Sequence, residues 1–457
     1  MTIPARLLHH TAYLGLLGIL IPLWLFSLAL QSGQAGGHSA FTFSAGMMVV
    51  LFCAARLSQL AVRCPNAMLH IVFYIFVYLW AGVIPLYQVA LGSLPWRTTL
   101  PVSVYEATYL LIGFAILAFE LGYKVASSGR TRKRGRGDVG FQTILFFSLA
   151  AIGLAVWFGP MQVPISALFS FREDLQNQLG DVSSRLLTMQ LMRMPIYIAF
   201  LTVLWKLRTS RIDRGRYAAL MVAVLPVFLL VNFPTVISRA WLGAIIISIS
   251  YVFMTTSKHR YYGYFPLVLI LGFLTIFPIM QRFRRSGSHS EQPLYEQITQ
   301  TFASGDFDVF TMTAHFINMS QVNESFFTWG NQLLGALLFF VPRSVWSEKP
   351  VGSGYHVAEM SGFNFLNVSA PLWAEGFINF GLIGTFIFML LLGMLLKRLD
   401  SFALLPSHSI ATRVMIAFLV GFLTMILRGD LMTACVTLLP ALVTTHALHM
   451  LGSSGRS

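Results

Sequence analysis

Met68-Leu-His-Ile-Val-Phe-Tyr-Ile-Phe-Val-Tyr-Leu-Trp-Ala-Gly-Val-Ile-Pro-Leu-Tyr-Gln-Val-Ala-Leu91 is the stretch that decides the fold class of this chain. It contains no Asp, Glu, Lys or Arg, and an apolar helix of this length crosses a hydrocarbon layer about 30 Å thick. The pattern recurs along the 457 residues, of which 56% are hydrophobic and 11% charged. A soluble domain does not bury that much apolar surface, so the composition predicts a membrane protein with many spans.

Twelve apolar segments predict an all-α polytopic membrane protein, with residues 1–457 forming one integral membrane domain. The first segment has Arg6 before it, as a signal peptide does, but a second span follows at once, which favours an uncleaved first helix. The predicted spans are Tyr13–Leu30, Phe41–Leu57, Met68–Leu91, Val104–Val125, Phe141–Phe158, Leu191–Leu207, Tyr217–Phe233, Ala240–Met254, Phe265–Met280, Phe377–Leu396, Val414–Leu427 and Leu431–Leu448.

The basic residues predict the orientation of these spans. With the N-terminus inside and twelve spans threaded, 20 of the 31 Lys and Arg fall inside and 11 fall outside. Basic clusters at 130–136 and 206–216 mark cytoplasmic loops. The net charge of +14 therefore reflects topology and does not indicate a nucleic-acid partner. Cys53, Cys64 and Cys435 have no metal-ligand spacing and no expected disulfide.

One large polar segment, residues 282–376, is predicted to lie outside the membrane as a loop. Its centre reads Trp329-Gly-Asn-Gln-Leu-Leu-Gly-Ala-Leu-Leu-Phe-Phe-Val-Pro-Arg-Ser-Val-Trp-Ser-Glu-Lys-Pro-Val-Gly-Ser-Gly354. The apolar part near 331–341 is too short to span, so it predicts a re-entrant or interfacial helix that holds Arg343 and Trp346 near the headgroups. Because loops on a rigid scaffold tend to carry function, we expect chemistry in this segment.

The expected outer cations are ten Arg and one Lys, on the side where positive charge is usually scarce. Guanidinium groups grip phosphate or carboxylate at two points, so the set predicts an anion site, although a single Arg at a membrane end can instead reach lipid headgroups. Arg239 is the strongest single candidate for the anion site, because a charge between two spans is costly unless it is paired or faces a polar cavity. Arg428 has the same placement, with a local pair to Asp430 as the alternative. The set comprises Arg97, Arg172, Arg185, Arg193, Arg239, Arg282, Arg284, Arg285, Arg343, Lys349 and Arg428.

Two residues are candidate proton acceptors. Glu375 lies where the tenth predicted span begins, with a helix-entry cap as the alternative, and His356 follows a Gly-rich stretch that could bend tightly. Asp306-Phe-Asp308 has the DxD pattern that holds a divalent metal in many glycosyltransferases. Ser304-Gly305 looks like a helix start, where carboxylates cap naturally, so capping is favoured over metal binding and we predict no metal site.

Short motifs between 305 and 384, together with Ser238-Arg239, resemble those of the bacterial oligosaccharide repeat-unit polymerases, the O-antigen polymerase (Wzy-type) family. The layout of about twelve spans with one dominant outer loop late in the chain is also similar. The related O-antigen ligases carry a catalytic His shortly before the span that follows the loop, and the stretch near Ser369 has none. The matching motifs are Phe307-Asp308, Trp329-Gly330, Phe340-Val-Pro-Arg343, Trp346, Lys349-Pro350, Glu375-Gly376 and Asn379-Phe-Gly381.

The resemblance implies a GT-C-like fold and a multi-pass enzyme of the bacterial inner membrane, with its large loop in the periplasm. It implies a glycosyltransferase that polymerises undecaprenyl-diphosphate-linked oligosaccharide units into a surface polysaccharide such as O-antigen or exopolysaccharide. The diphosphate donor supplies the energy, so no cofactor is expected, and the sequence has no P-loop. Expected partners are membrane lipids, a flippase and a chain-length-regulating co-polymerase.

The resemblance also assigns roles. Glu375 is the favoured base and His356 the second, while Arg239 and Arg343 stabilise the leaving diphosphate. Two rivals remain open: a flippase or transporter of lipid-linked sugars, which expects charges deep in several spans, and a ligase-like glycosyltransferase. The residues expected to bind substrate are Arg172, Lys349, Arg428, Asp308, Trp346 and Tyr355, with Trp329 and Trp373 as further sugar-stacking candidates.

Overall fold

All the regular secondary structure in the part of the chain that the structure describes is helical. In this computed structural model no β-strand occurs in the described ranges. Eleven helices there are long and apolar enough to cross a membrane, so the predicted all-α polytopic membrane protein is confirmed. The described residues are 3–31, 39–64, 66–97, 99–126, 139–161, 182–234, 236–257, 259–282, 294–403 and 409–454.

The helices are numbered α1 to α16 in chain order. Short 3₁₀ turns occur at Pro95–Arg97, His259–Tyr264 and Gly305–Phe307. The helices are α1, Ile3–Tyr13 continuing through the π-helical Leu14–Leu20 into Ile21–Gln31; α2, Ala40–Arg63; α3, Met68–Phe76 continuing through the π-helical Val77–Val83 into Ile84–Leu91; α4, Val102–Val125; α5, Phe141–Phe158; α6, Val182–Thr209; α7, Arg214–Val231; α8, Arg239–Thr256; α9, Phe265–Arg282; α10, Leu294–Phe302; α11, Val309–Val322; α12, Asn331–Leu337; α13, Ser353–Met360; α14, Leu372–Ala403; α15, Ile410–Arg428; and α16, Leu431–Ser454.

Helix α3 is the centre of the bundle. Its whole apolar window is buried, as expected for a helix that is hydrophobic on every side. Helices α2, α9, α14 and α15 pack around it, while α4 packs along α14 and α8 along α15. The stretch that predicted a membrane span is thus the core around which the other spans assemble.

Helices α10 to α13 lie at one end of the bundle, which we call the loop face. The start of α11 is fully buried there, from Val309 to Phe316, whereas α12 is partly exposed. Helix α12 coincides with the re-entrant or interfacial helix expected near 331–341. Left-handed backbone at Trp329 (φ 48°) and Gly330 (φ 91°) turns the chain into it.

Every predicted span falls on a helix. Helix α9 has a short apolar part, and its contacts show that it crosses the bundle. The apolar stretch here is Tyr262–Thr275, which includes the turn before α9. It is shorter than the eleven candidate membrane spans. The Tyr13 hydroxyl donates to Gly263 O just before α9, at the end of the bundle opposite the loop face. Near the end of α9, Phe277 lies 4.9 Å from the guanidinium carbon of Arg239 at the loop face. Helix α9 therefore carries the chain from one end of the bundle to the other.

Helix α14 differs from the predicted span Phe377–Leu396, because its backbone breaks at Phe380 (φ −148°) and Gly381 (φ 61°, ψ −146°). The eight residues before the break, 372–379, are all buried. They fold back on the residues after it: Thr385 Oγ1 donates to Trp373 O at 2.9 Å, and a Cβ on Gly376 would come within 2.6 Å of Gly384 O. The tenth span thus begins as a tight helical hairpin.

Candidate functional site

Two arginines from different spans meet on the 3₁₀ turn at the loop face. Arg239, the first residue of α8, pairs with the Asp306 carboxylate. Arg428, the last residue of α15, donates from Nε to Asp306 O at 3.0 Å and from Nη2 to Gly305 O at 2.7 Å. Arg428 Nη2 also lies 3.1 Å from Asp308 Oδ1. We call Arg239, Arg428, Asp306 and Asp308 the arginine cluster.

Asp308 is the buried centre of the cluster. Its side chain is fully buried, and its Oδ2 accepts from Trp96 Nε1 and from the N–H of Ser369, both at 3.2 Å. With Arg428 on Oδ1, three donors surround the carboxylate, as a buried charge requires. The carboxylate makes no capping bond to α11, although Asp308 directly precedes that helix. A role of Asp308 in substrate binding would therefore act through Arg428.

The cluster keeps contact with solvent on the arginine side. The side chains of Arg239 and Arg428 are 17% and 26% exposed, and that of Asp306 is 29% exposed. Carboxylates and carbonyls hold the two guanidinium groups in position, and part of each side chain is open to solvent. Of the residues predicted to bind the diphosphate, Arg239 and Arg428 lie on this turn, together with Asp308.

Trp96 lies beside this cluster in a strained backbone conformation. Its φ of 66° is left-handed, which is unusual for a bulky residue and tends to occur at functional sites. The indole lies directly against Gly305, where a Cβ would collide with the ring. It stacks on Phe365 with ring centroids 5.5 Å apart, and Phe365 is 51% exposed. An aromatic surface thus adjoins the arginines.

Glu375, the predicted base, is only 2% exposed. Its Oε2 accepts from Ser353 Oγ at 2.6 Å and its Oε1 accepts from the N–H of Leu431 at 2.8 Å. Leu431 is the first residue of α16, so the carboxylate satisfies the start of that helix rather than of its own. An acceptor hydroxyl would have to displace Ser353 to reach Glu375.

Asp430 stands between the arginine cluster and Glu375, in the turn that joins α15 to α16. The predicted alternative, a local pair of Arg428 with Asp430, is not what forms: the ion pair of Arg428 is with Asp308. The Asp430 carboxylate accepts from the N–H of Met432 at 2.8 Å and of Gly354 at 3.2 Å. Burial raises the pKa of Asp430 because desolvation disfavours the charged carboxylate, and the N–H donors oppose this.

His356, the second candidate base, is half-buried on α13. Burial lowers its pKa below the ordinary value of 6.5, and Glu359, three residues later, acts in the opposite direction. The imidazole is therefore neutral at pH 7 and able to accept a proton. The adjacent Tyr355 is 39% exposed, in keeping with a residue that meets a ligand.

The Lys349 ammonium holds the loop after α12 together. It donates to Phe339 O at 2.5 Å and to Val341 O at 3.0 Å. Desolvation and then the nearby Arg343 charge lower the pKa of Lys349. Arg343 is exposed and Trp346 is half-buried, so this loop presents cationic and aromatic groups at the surface. Lys349 was predicted to bind substrate, but these hydrogen bonds show that it stabilises the loop.

Three further predicted residues have different outcomes. Arg172 lies outside the described residues. Trp373 is 1% exposed and its indole donates to Thr313 Oγ1 at 3.0 Å, so it offers no face to a sugar. Trp329 is 75% exposed and does offer one.

Sequence reasoning missed Trp96, Ser353 and Asp430 as members of the site. Trp96 follows a proline between two spans, and Ser353 belongs to a Gly-Ser-Gly turn, so both carry only a weak local signal. Their partners, Asp308 and Glu375, are distant in sequence, and spacing along the chain does not report such contacts.

Comparisons with known proteins leave the site to be interpreted by its own geometry, since no protein family, no curated protein and no solved structure matches the chain. The loop face of this multi-pass membrane protein carries two partly exposed arginines with an adjoining aromatic surface, and His356 lies on α13 at the same end of the bundle. Guanidinium groups held in this way can bind a phosphate-bearing ligand, and a neutral imidazole can accept a proton.

Proposed function

We propose that the protein is a membrane glycosyltransferase that polymerises oligosaccharide repeat units carried on undecaprenyl diphosphate, at the periplasmic face of the bacterial inner membrane. The convergence of Arg239 and Arg428 on one carboxylate-bearing turn carries the proposal. When a glycosidic bond to a lipid diphosphate breaks, negative charge develops on the leaving phosphate. Cations already held in position stabilise that charge without reorganising.

The reaction is a substitution at the anomeric carbon of the growing chain. A hydroxyl oxygen of the acceptor sugar forms the new glycosidic bond, the bond from the anomeric carbon to the diphosphate oxygen breaks, and the lipid diphosphate leaves. The hydroxyl proton passes to a base. His356 suits this task because it is neutral and half-buried, whereas both oxygens of Glu375 already accept hydrogen bonds. Glu375 then serves to fix α13 against α16.

Removal of one arginine tests the proposal. We expect Arg239→Ala and Arg428→Ala to reduce polymer formation by about 10²–10³, the typical effect of losing one charge-stabilising donor. The Lys variants keep the charge but lose the two-point grip, so partial activity is expected. Polymer is measured as a gel ladder in cells whose own copy is deleted, with membrane levels of each variant quantified. Arg398→Ala, at an exposed position on α14, is the matched control.

The base is tested by a pair of variants in the same assay. His356→Ala should stop polymerisation while lipid-linked repeat units still bind. Glu375→Gln should lower the melting temperature of the protein, while the turnover of the protein that does fold should be largely retained. If Glu375→Gln alone abolishes turnover at normal stability, Glu375 is the base. If the Arg239, Arg428 and His356 variants all make normal polymer, the loop face is not the active site and the transporter alternative replaces this proposal.

The DxD acids bear on metal dependence. Asp306 faces Arg239 and Asp308 faces Arg428, so both carboxylates already have cationic partners. We therefore expect polymerisation in membrane vesicles to survive EDTA, and Asp306→Asn to reduce activity only mildly. Loss of activity on chelation, restored by Mg²⁺ or Mn²⁺, would show instead that a metal holds the diphosphate.

A further inference from the structure

Two buried side chains of the central helix α3, Trp80 and Gln88, contact the backbone that carries the arginine cluster. Both donate hydrogen bonds to one short stretch, residues 302–307. This stretch runs from the end of α10 through the 3₁₀ turn that contains Asp306. The central span therefore supports the turn on which the two arginines meet.

Trp80 shares an acceptor with one of these arginines. Its Nε1 donates to Asp306 O at 2.9 Å, and Arg428 Nε donates to the same oxygen at 3.0 Å. A backbone carbonyl has two lone pairs, so these two donors complete it. The indole is itself held in place, because it stacks on Phe76 and Phe307 with centroid distances of 5.2 and 5.3 Å. The position of the carbonyl that Arg428 grips thus depends on Trp80.

Gln88 holds the same stretch at both of its ends. Its amide Nε2 donates to Phe302 O at 2.7 Å and to Phe307 O at 3.1 Å. Phe302 is the last residue of α10, where a carbonyl has no partner within its own helix. One amide group therefore fixes the two limits of the segment whose carbonyls accept from Arg428.

The π-helical segment Val77–Val83 explains how two residues eight apart reach one stretch of backbone. Eight residues make about 2.2 turns of an α-helix, which would point Gln88 about 80° away from Trp80. The N–H of Ile84 donates to Leu79 O, five residues back, so the segment winds more slowly than an α-helix. The slower winding brings the two side chains closer to a common face of α3.

We propose that Trp80 and Gln88 are positioning residues of the transferase site, which hold residues 302–307 so that Arg239 and Arg428 meet the diphosphate without reorganising. These roles rest on the transferase function proposed above. Both side chains are buried, so each acts through the arginines and touches no substrate. Because charges held in position act mainly on the transition state, loss of either side chain should lower kcat more than it raises KM.

The test uses the purified full-length chain and undecaprenyl-diphosphate-linked repeat units isolated from cells in which its gene is deleted. Release of undecaprenyl diphosphate is measured, with melting temperatures alongside. Trp80→Phe keeps an aromatic ring for stacking and removes the donor, and Gln88→Met keeps the length of the side chain and removes the amide. Each should lower kcat about tenfold, the effect of one lost hydrogen bond, while KM changes little.

Tyr78→Phe is the matched control for a lost buried hydrogen bond. The Tyr78 hydroxyl, on the same π-helical segment, donates to Leu17 O of α1 at 2.7 Å. Its removal should leave kcat unchanged, even where it lowers the melting temperature. A fall in kcat for Tyr78→Phe equal to that for Trp80→Phe would show a general weakening of α3 and overturn the proposal.

A double-variant cycle tests whether the two side chains act through the arginines. Trp80→Phe should cost less in an Arg428→Lys background than in the wild type, because the grip on the shared carbonyl is already impaired there. Gln88→Met enters the same cycle if Trp80→Phe fails to fold. Equal falls in both backgrounds, or a normal kcat for the Trp80 and Gln88 variants when Arg428→Ala is impaired, would overturn these roles alone. A wild-type rate for Arg428→Ala itself would instead remove the transferase function on which they rest.

Discussion

At the residue scale, the two acids of the DxD motif have unequal parts. Asp308 is fully buried beneath three donors, so its loss leaves the Arg428 guanidinium, the Trp96 indole and the Ser369 N–H without this acceptor. Asp306 is partly exposed and orients Arg239 at the surface. Asp308 therefore stabilises the site, and Asp306 orients one of its arginines.

The pH dependence of stability can be predicted from another single residue, His315 on α11. It is 3% exposed, its Nδ1 lies 3.2 Å from Ser361 Oγ, and burial lowers its pKa to about 4. Because the unfolded chain takes up the proton near pH 6.5 and the folded chain does so only near 4, the protein loses stability as pH falls through this window. The full difference is about 3 kcal/mol. Melting temperatures between pH 7.5 and 4.5 should fall less steeply for His315→Gln than for the wild type.

The exposed His446→Gln, on α16, is the control for this measurement and should retain the wild-type pH slope. If His315→Gln shows the same slope as wild type, the imidazole of His315 does not stay neutral in the folded protein.

At the element scale, α14 shows which features of a helix an apolar sequence pattern predicts and which it does not. Hydropathy predicted a span over Phe377–Leu396, and a helix is there. The pattern does not report that the chain reverses at Gly381, since 372–379 are buried as a helix of their own although they contain Glu375 and Asn379. A backbone φ of 61° combined with a ψ of −146° is a conformation that glycine adopts far more readily than any other residue, and this glycine was noted in the sequence only as part of a motif. The helices could be predicted, but the hairpin that places Glu375 could not.

The hairpin depends on close approach of Gly376 and Gly384. A Cβ on Gly384 would collide with Gly376 O and come within 2.9 Å of Phe380 Cβ. We expect Gly384→Ala to destabilise the protein by about 1–3 kcal/mol, as overpacking does, and to lower polymer yield with it. Gly113→Ala in α4 is the matched control, because a Cβ there meets nothing within 4 Å and alanine favours a helix. Equal melting temperatures for the two variants would show that the hairpin is not tightly packed.

At the scale of the whole molecule, the charges within the spans help to separate the candidate functions. Glu120 of α4 is 7% exposed, and its carboxylate pairs with Arg56 at 2.7 Å and contacts His70 Nε2 at 3.1 Å and the Tyr74 hydroxyl at 2.5 Å. These partners come from α2 and α3, so the group ties three spans together. A transporter expects such charges along a path for its substrate. The Glu120 carboxylate is closed on its neighbours and offers no such path.

The order in which the helices cross the bundle predicts the membrane topology of the chain. Helix α1 has Tyr13 at the end opposite the loop face, α9 carries the chain between the two ends, and α16 begins at the loop face with Leu431. Twelve passages therefore leave the start of α1 and the end of α16 at the same end of the bundle. The excess of Lys and Arg on that side predicts that this end is cytoplasmic and that the loop face lies outside. Reporter fusions at Gly330 and Ser401 should report opposite sides, periplasmic and cytoplasmic. If both report the same side, or if α9 fails to cross so that the chain passes an odd number of times, the loop face cannot meet periplasmic substrates and the proposed polymerase activity fails with it.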